Sequence, residues 1–224
     1  LFVTSPAQAR HADLVEQAAA AGIDVSLVSG EVMSELAQTV TPQGLLAVCD
    51  FIDVTLDQVS KAQPRPKLVA LLANVRDPGN AGTVLRTADA AGADAVVFAD
   101  ASVDLYNGKC VRASAGSIFH LPIVAGARLS ETVAAVKRAG LTVIAADGRA
   151  GSTLDDPQTR KTLAAPTAWL FGNEAWGLPA DLVELADESV AVPIYGRAES
   201  LNLAAAASVC LYASAQAQRS YGGG

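Results

Sequence analysis

Positive charge is in short supply: 16 Lys and Arg face 23 Asp and Glu, for a net charge of -7 and a pI near 4.8. That balance excludes a broad electrostatic grip on nucleic acid and leaves room only for a local basic patch. Lys109, Arg112, Arg128, Arg149, Arg160, Lys161 and Arg197 are the candidates for it. Cysteine is nearly as scarce. Cys49, Cys110 and Cys210 are widely separated and form no CxxC or Cys/His pair, so neither a zinc site nor a disulfide framework is supported, and each reads as a plain buried thiol. The two histidines, His11 and His120, have no metal-ligand spacing and read as structural, so no metal is implied.

Other absences narrow the ligand. No Gly-Lys-Ser/Thr sequence exists, which removes the P-loop, and only Gly79 and Gly82 survive of a dinucleotide fingerprint. Asp100, at the expected end of the following strand, keeps the dinucleotide alternative alive in weakened form. The longest apolar stretch, Leu201 to Ala217, carries Asn202, Ser208, Ser214 and Gln216, and so reads as a buried helix rather than a membrane span. No signal-peptide pattern is visible, which favours the cytoplasm, and Leu1 in place of Met implies a segment ahead of the visible chain.

What remains is a chain of 224 residues, 51% hydrophobic and rich in Ala and Val, enough for one sizeable domain or a domain plus a smaller piece. "SPAQARHADLVEQAAAAG" predicts a helix capped by Ser5, led by Pro6 and closed at Gly22. A strand-like run at 23–28, a helical stretch at 31–39 and an apolar run at 44–49 complete a small α/β unit. "KAQPRPK", residues 61–67, lacks apolar periodicity and reads as a linker.

Beyond it, apolar runs at 68–73, 95–99, 142–146, 168–171 and 190–194 alternate with helical patterns near 80–91, 130–139, 179–186 and 200–218. This alternation predicts a mostly parallel sheet with helices on both faces. The terminal "YGGG" reads as a frayed end.

Three stretches leave carboxyl ends of these strands, where α/β proteins bind their ligands: "NVRDPGNAGTVLRTADAAGA", "LFGNEAWGLP" and "VPIYGRAESLNLAAAAS". A fourth, "KCVRASAGS" at 109–117, mixes cations with small residues. Lys109, Arg112 and Ser114 there are candidate contacts to an RNA backbone, with a tightly packed small-residue helix as the equal alternative.

Across residues 68–219 the three stretches resemble, in order, the motifs of the SpoU (TrmH) branch of the SPOUT RNA 2′-O-ribose methyltransferases. "TPQGLLAV" and "VRASAGSIFHLPI" also resemble flanking segments of members that carry a ribosomal-protein-like RNA-binding domain. The resemblance implies a C-terminal trefoil knot, bound S-adenosylmethionine, a homodimer and an RNA substrate, with 23S ribosomal RNA favoured over tRNA. It divides the chain into a partial RNA-binding domain at 1–60, the linker at 61–67 and a catalytic domain at 68–224.

Carried over by motif, Asn80, Arg86, Glu174, Ser200 and Asn202 become the catalytic candidates. Leu170, Phe171, Gly172, Ile194 and Leu203 become the cofactor contacts, largely through backbone. Two other classes compete: a non-catalytic RNA-binding protein of the same fold, and a nicotinamide-dependent enzyme of small molecules.

Overall fold

The computed structural model describes residues 1–37, 39–99 and 101–221. Asp100 and Gly222 to Gly224, and with them the strand-end acid and most of the expected frayed tail, lie outside the described residues.

Chain contacts divide the molecule between Phe51 and Ile52. The first unit contains β1 (Phe2–Thr4), α1 (Ser5–Arg10), α2 (Ala12–Ala20), β2 (Ser26–Val28), α3 (Gly30–Ala37) and β3 (Leu45–Leu46). Its sheet runs β2-β1-β3, parallel between β1 and β2 and antiparallel between β1 and β3. Val3, Ala7 and Val15 make its small core. The single helix expected from Ser5 to Gly22 is two helices, because His11 leaves helical geometry at φ -126°, ψ 42°. Thr4, not Ser5, occupies the N-cap. The opening strand β1 gave no periodic signal at three residues. Cys49 is exposed, contrary to the reading of all three cysteines as buried thiols.

The second unit begins before the proline-rich stretch rather than after it. Tyr106 ties Ile52 and Asp53 through its hydroxyl, which accepts both backbone N–H groups at 2.8 and 3.0 Å. α4 (Leu56–Ser60) then opens with a capping box between Thr55 and Gln58 and buries Val59 in the core.

From there the chain forms β4 (Leu68–Ala73), α5 (Pro78–Ala91), β5 (Ala95–Ala99), α6 (Gly108–Ala113), a 3₁₀ turn at Ser117–Phe119, β6 (Ile123–Ala127), α7 (Leu129–Arg138), β7 (Thr142–Ala146), β8 (Ser152–Thr153), α8 (Pro157–Ala164), β9 (Thr167–Phe171), α9 (Ala180–Val183), β10 (Glu188–Ala191) and α10 (Leu203–Tyr221).

Seven strands pair in parallel in the order β6-β5-β4-β9-β7-β10-β8. The central strand shows why both faces must be covered. In β4, Leu68, Ala70 and Leu72 enter one core cluster while Val69, Leu71 and Ala73 enter the other, so a continuous apolar run serves a sheet buried on both sides. Two strands escaped the sequence reading, and both are edges. β6 carries Gly126 at φ 70° and a register shift opposite Phe98 and Ala99, while β8 is a two-residue segment without an apolar side chain. β10 stops at Ala191, short of the expected Ile194, since Pro193 has no N–H for a ladder.

α10 packs against α5, α8 and the underside of β4, β9 and β7. Its Ala204, Ala207, Cys210, Leu211 and Ala215 join the core. Ser214 fixes its register: the buried hydroxyl accepts the Trp169 indole N–H at 2.9 Å and shares a 3.1 Å bond with Thr167. Burial pushes the Cys110 thiol up to about 11 and Cys210 to about 12, so both remain neutral packing groups.

α5 and α6 approach unusually closely at Gly82, where an added Cβ would lie 2.3 Å from the Cys110 carbonyl oxygen and 2.7 Å from the Ala113 Cβ. Backbone stands in the way, so relief requires moving a helix. Gly82→Ala is expected to lower stability by about 1–3 kcal/mol, measurable by urea denaturation.

Candidate active site

The carboxyl edge of the sheet gathers all three loops. The first leaves β4 through Asn74 at φ 57°, a left-handed conformation that asparagine tolerates. Asp77 then caps α5, its Oδ1 accepting the Asn80 N–H at 2.7 Å, and Pro78 takes the first helical turn. The other Asp77 oxygen meets Lys109 Nζ at 2.7 Å. Lys109 and the Asn80 amide hold the Asp77 carboxyl below its ordinary range, so it stays ionised and keeps its cap throughout neutral pH.

The second loop leaves β9 at Gly172, where a Cβ would fall 2.5 Å from the Gly177 carbonyl oxygen. Only glycine permits that closure. Asn173 and Gly177 exchange backbone bonds of 3.0 and 2.9 Å, while the buried Asn173 side chain donates to the Asn74 carbonyl at 2.8 Å and accepts from Ala175. Glu174 completes the link to the first loop, accepting the Arg76 and Asp77 N–H groups at 3.2 and 3.0 Å.

The third loop ends on Asn202, whose Oδ1 caps α10 by accepting Ala204 N–H at 2.9 Å and Ala205 N–H at 3.3 Å. Ser200, one of the catalytic candidates, lies ahead of it in the exposed loop. The Asn202 amide donates to Asn80 Oδ1 at 3.0 Å, and the Asn80 amide donates to Glu174 Oε1 at 3.4 Å. Asn80 is therefore the shared partner of the second and third motifs.

Beside this cluster a cavity of about 250 Å³ opens over the ends of β7, β9 and β10. Of the expected cofactor contacts, Phe171, Gly172, Ile194 and Leu203 line it, joined by Glu174 and Ser200 from the catalytic set. Leu170 does not. It is fully buried in the core cluster on the opposite face, and its strand pairs on both sides, with Leu71 and Ala145. Asn80 and Asn202 stand outside the lining. Arg86 is exposed on α5 and, among the described residues, makes no hydrogen bond or ion pair, so it is not in contact with Glu174.

The expected RNA contacts also separate. Lys109 and Arg112 are exposed, but Lys109 is engaged by Asp77. Ser114 is fully buried, its hydroxyl donating to the Val111 carbonyl at 2.7 Å, so it is a packing residue of the α5–α6 contact and not a surface group.

Sequence reasoning missed the β7 end. Ala146, Asp147 and Gly148 line the cavity together with Glu199, and the rule that ligands lie beyond strand carboxyl ends already pointed to "ADG". Arg149 holds this segment by bonding both Asp147 and the Leu178 carbonyl, the latter at 2.8 Å. The cavity thus offers an apolar wall of Phe171, Val190, Val192, Ile194 and Leu203, carboxylates at Asp147 and Glu199, and glycines that expose backbone. Such a lining suits a ligand with a flat aromatic base and a cationic centre.

Comparison with known proteins supplies families for both parts of the chain. The SpoU rRNA Methylase family matches residues 67–212, and the family described as RNA 2′-O ribose methyltransferase substrate binding matches residues 1–54. The chain is 39% identical over 192 residues to the 23S rRNA (guanosine(2553)-2′-O)-methyltransferase RlmP of Bacillus subtilis, covering 85% of this chain and 72% of that protein.

Among solved structures, the AdoMet-bound rRNA methyltransferase from Sinorhizobium meliloti superposes with a TM-score of 0.80 at 30% identity, over 96% of this chain and 79% of that one. The SpoU methyltransferase AviRb from Streptomyces viridochromogenes, in complex with AdoMet, gives 0.82 at 26% identity, over 98% and 82%.

The double role of Asn202 can be split by substitution. Asn202→Ala removes the cap and the bond to Asn80 and is expected to cost about 1 kcal/mol. Asn202→Asp keeps the cap and adds a charge that the helix N-terminus favours, but sets an acceptor against Asn80 Oδ1, and should still retain most of that stability in the same denaturation assay.

Proposed function

The chain belongs to the SpoU rRNA methylase family, and on that premise we propose that it transfers a methyl group from S-adenosylmethionine to a ribose 2′-hydroxyl of RNA, most specifically of 23S ribosomal RNA. The observation that carries this reading is the junction of all three motifs at Asn80, beside a cavity suited to the donor. When bound, the sulfonium supplies an already activated methyl group. What the protein must add is a ribose oxygen held in line and help in losing its proton.

Phe171, Ile194 and Leu203 would take the aromatic base, with Gly172 presenting backbone; Asp147 and Glu199 would face the cationic end. Ser200, on the rim, would meet the ribose. Asn80, Glu174 and Asn202 hold that rim in shape. Both Glu174 oxygens already accept backbone N–H groups, which suits a carboxylate that positions the loops better than one that removes a proton. Arg86 has no acceptor atom and cannot serve as a base. Its free guanidinium fits the phosphate beside the target ribose and the charge growing on the 2′-oxygen.

Several finer features follow. Insertion of β9 between β4 and β7, with α10 returning against all three, supports the trefoil threading of the C-terminal segment. Ala205, Val209 and Tyr212 form an exposed stripe on α10 at helical spacing, which suits a second copy of the chain. The first unit, 1–51, would serve RNA recognition, and action on ribosomal RNA fits the cytoplasm.

Incorporation of labelled methyl into ribosomal RNA, mapped to a 2′-O position, is the expected result; RNA binding without incorporation would leave only a binding protein. Arg86→Lys is expected to lower turnover at saturating RNA by about tenfold or more, because a point charge cannot reproduce a bidentate contact. Unchanged turnover would remove Arg86 from this role.

The same site carries its own optical probe. Of the two tryptophans, Trp169 is fully buried and Trp176, on the turn next to Glu174, is 58% exposed. Ribosomal RNA fragments docking over the loops are expected to quench Trp176 emission and shield it from iodide, as base–aromatic contact would.

A further inference from the structure

One wall of the cavity is formed by Ile194, Glu199, Ser200 and Leu201, from a loop with little to support it. The loop is anchored upstream where β10 pairs with β8 at Ala191 and Thr153, and downstream where Asn202 caps α10. From Pro193 to Leu201 no residue is fully buried. Among the described residues, one hydrogen bond holds this span: the Tyr195 hydroxyl donates to Asp155 Oδ2. The ring itself is 85% exposed, so burial does not keep it there.

The receiving end is well founded. Asp155 lies in the tight turn between β8 and α8, where Thr153 N–H donates to Asp156 Oδ2 at 2.6 Å and Asp156 N–H to the Thr153 carbonyl at 3.2 Å. Arg160 stands 3.5 Å from the other Asp155 oxygen. The strand pairing that anchors the start of the loop ends at this same turn, so the tie runs from the loop back to its own base.

We propose that Tyr195 is a positioning residue for the methyl donor: its bond to Asp155 holds the 193–201 loop as a formed cavity wall before the donor arrives. The inference rests on reading the cavity as the S-adenosylmethionine site. A loop ordered in advance spares binding the entropy of ordering it, so loss of the tie appears as weaker donor affinity, not slower transfer. The hydrogen bond to Asp155, with the Asp155 charge beside it, also raises the Tyr195 phenol above its ordinary 10.0, so the phenol proton is kept at neutral pH.

The test compares S-adenosylmethionine affinity by calorimetry, turnover at saturating donor, melting temperature, and the rate of proteolytic cleavage within residues 193–201 in the donor-free protein. Tyr195→Phe keeps the ring and is expected to raise the dissociation constant about three- to tenfold, speed cleavage in the loop, and leave turnover and melting temperature essentially unchanged. Asp155→Ala should do the same, whereas Asp155→Asn, whose amide oxygen still accepts the phenol proton, should restore affinity to within about twofold.

The proposal is overturned if the Tyr195→Phe protein binds the donor as the wild type does, or if affinity, turnover and melting temperature fall together. Failure of the wild-type protein itself to bind S-adenosylmethionine would overturn the reading of the cavity as well. Normal wild-type binding with an indifferent Tyr195→Phe variant would sink the tie alone.

Discussion

The hydrogen-bonded series from Glu174 through Asn80 to Asn202 is what makes one site of three distant loops. Each member also does local structural work: Glu174 receives the amides of the first loop, and Asn202 caps α10. Asn80 sits in the first turn of α5, whose start is set by Asp77. Side chains used twice cannot drift independently of the backbone they hold. The geometry around a transferring methyl group needs that coupling, because small displacements of reacting atoms are costly in rate.

The sheet supplies a fixed floor for this arrangement. Its central strands are apolar on both faces and covered on both sides, which confines variation to the loops beyond their ends. α10 is rich in alanine, and Ser214, gripping Trp169 and Thr167 beneath the sheet, sets its height. An alanine surface alone offers little shape to define register. A buried, satisfied hydroxyl defines it sharply.

Much of this was legible in the sequence. Runs such as 68–73 and 95–99 are long, apolar and bounded by turn residues, so the parallel core and its loop ends could be read from pattern alone. The three motifs made Asn80, Glu174 and Asn202 catalytic candidates, and their side chains meet. The edge strands β6 and β8 escaped for different reasons: Gly126 breaks the apolar run of β6 after three residues, and two residues leave β8 no hydrophobic period.

Ser114 stayed open between two readings because a small polar residue between cations looks the same whether it faces solvent or fills a helix contact, and only the approach of Gly82 decides for packing. Leu170 was one residue too deep, since backbone inside a fully paired strand has nothing left to offer a ligand. Asp147 belongs to none of the three motifs, and its only signal in the sequence is its place beyond a strand end.

The pairing of Lys109 with Asp77 changes how a polyanion must engage this surface. A phosphate reaching Lys109 would meet an ammonium whose charge is already partly offset by a seated carboxylate, so the contact would bring little net gain in attraction. That carboxylate belongs to the residue that starts α5, the helix bearing Asn80. Docking at this point would thus be felt at the first turn of that helix, making Lys109 a better judge of how an incoming strand lies than of how tightly it holds.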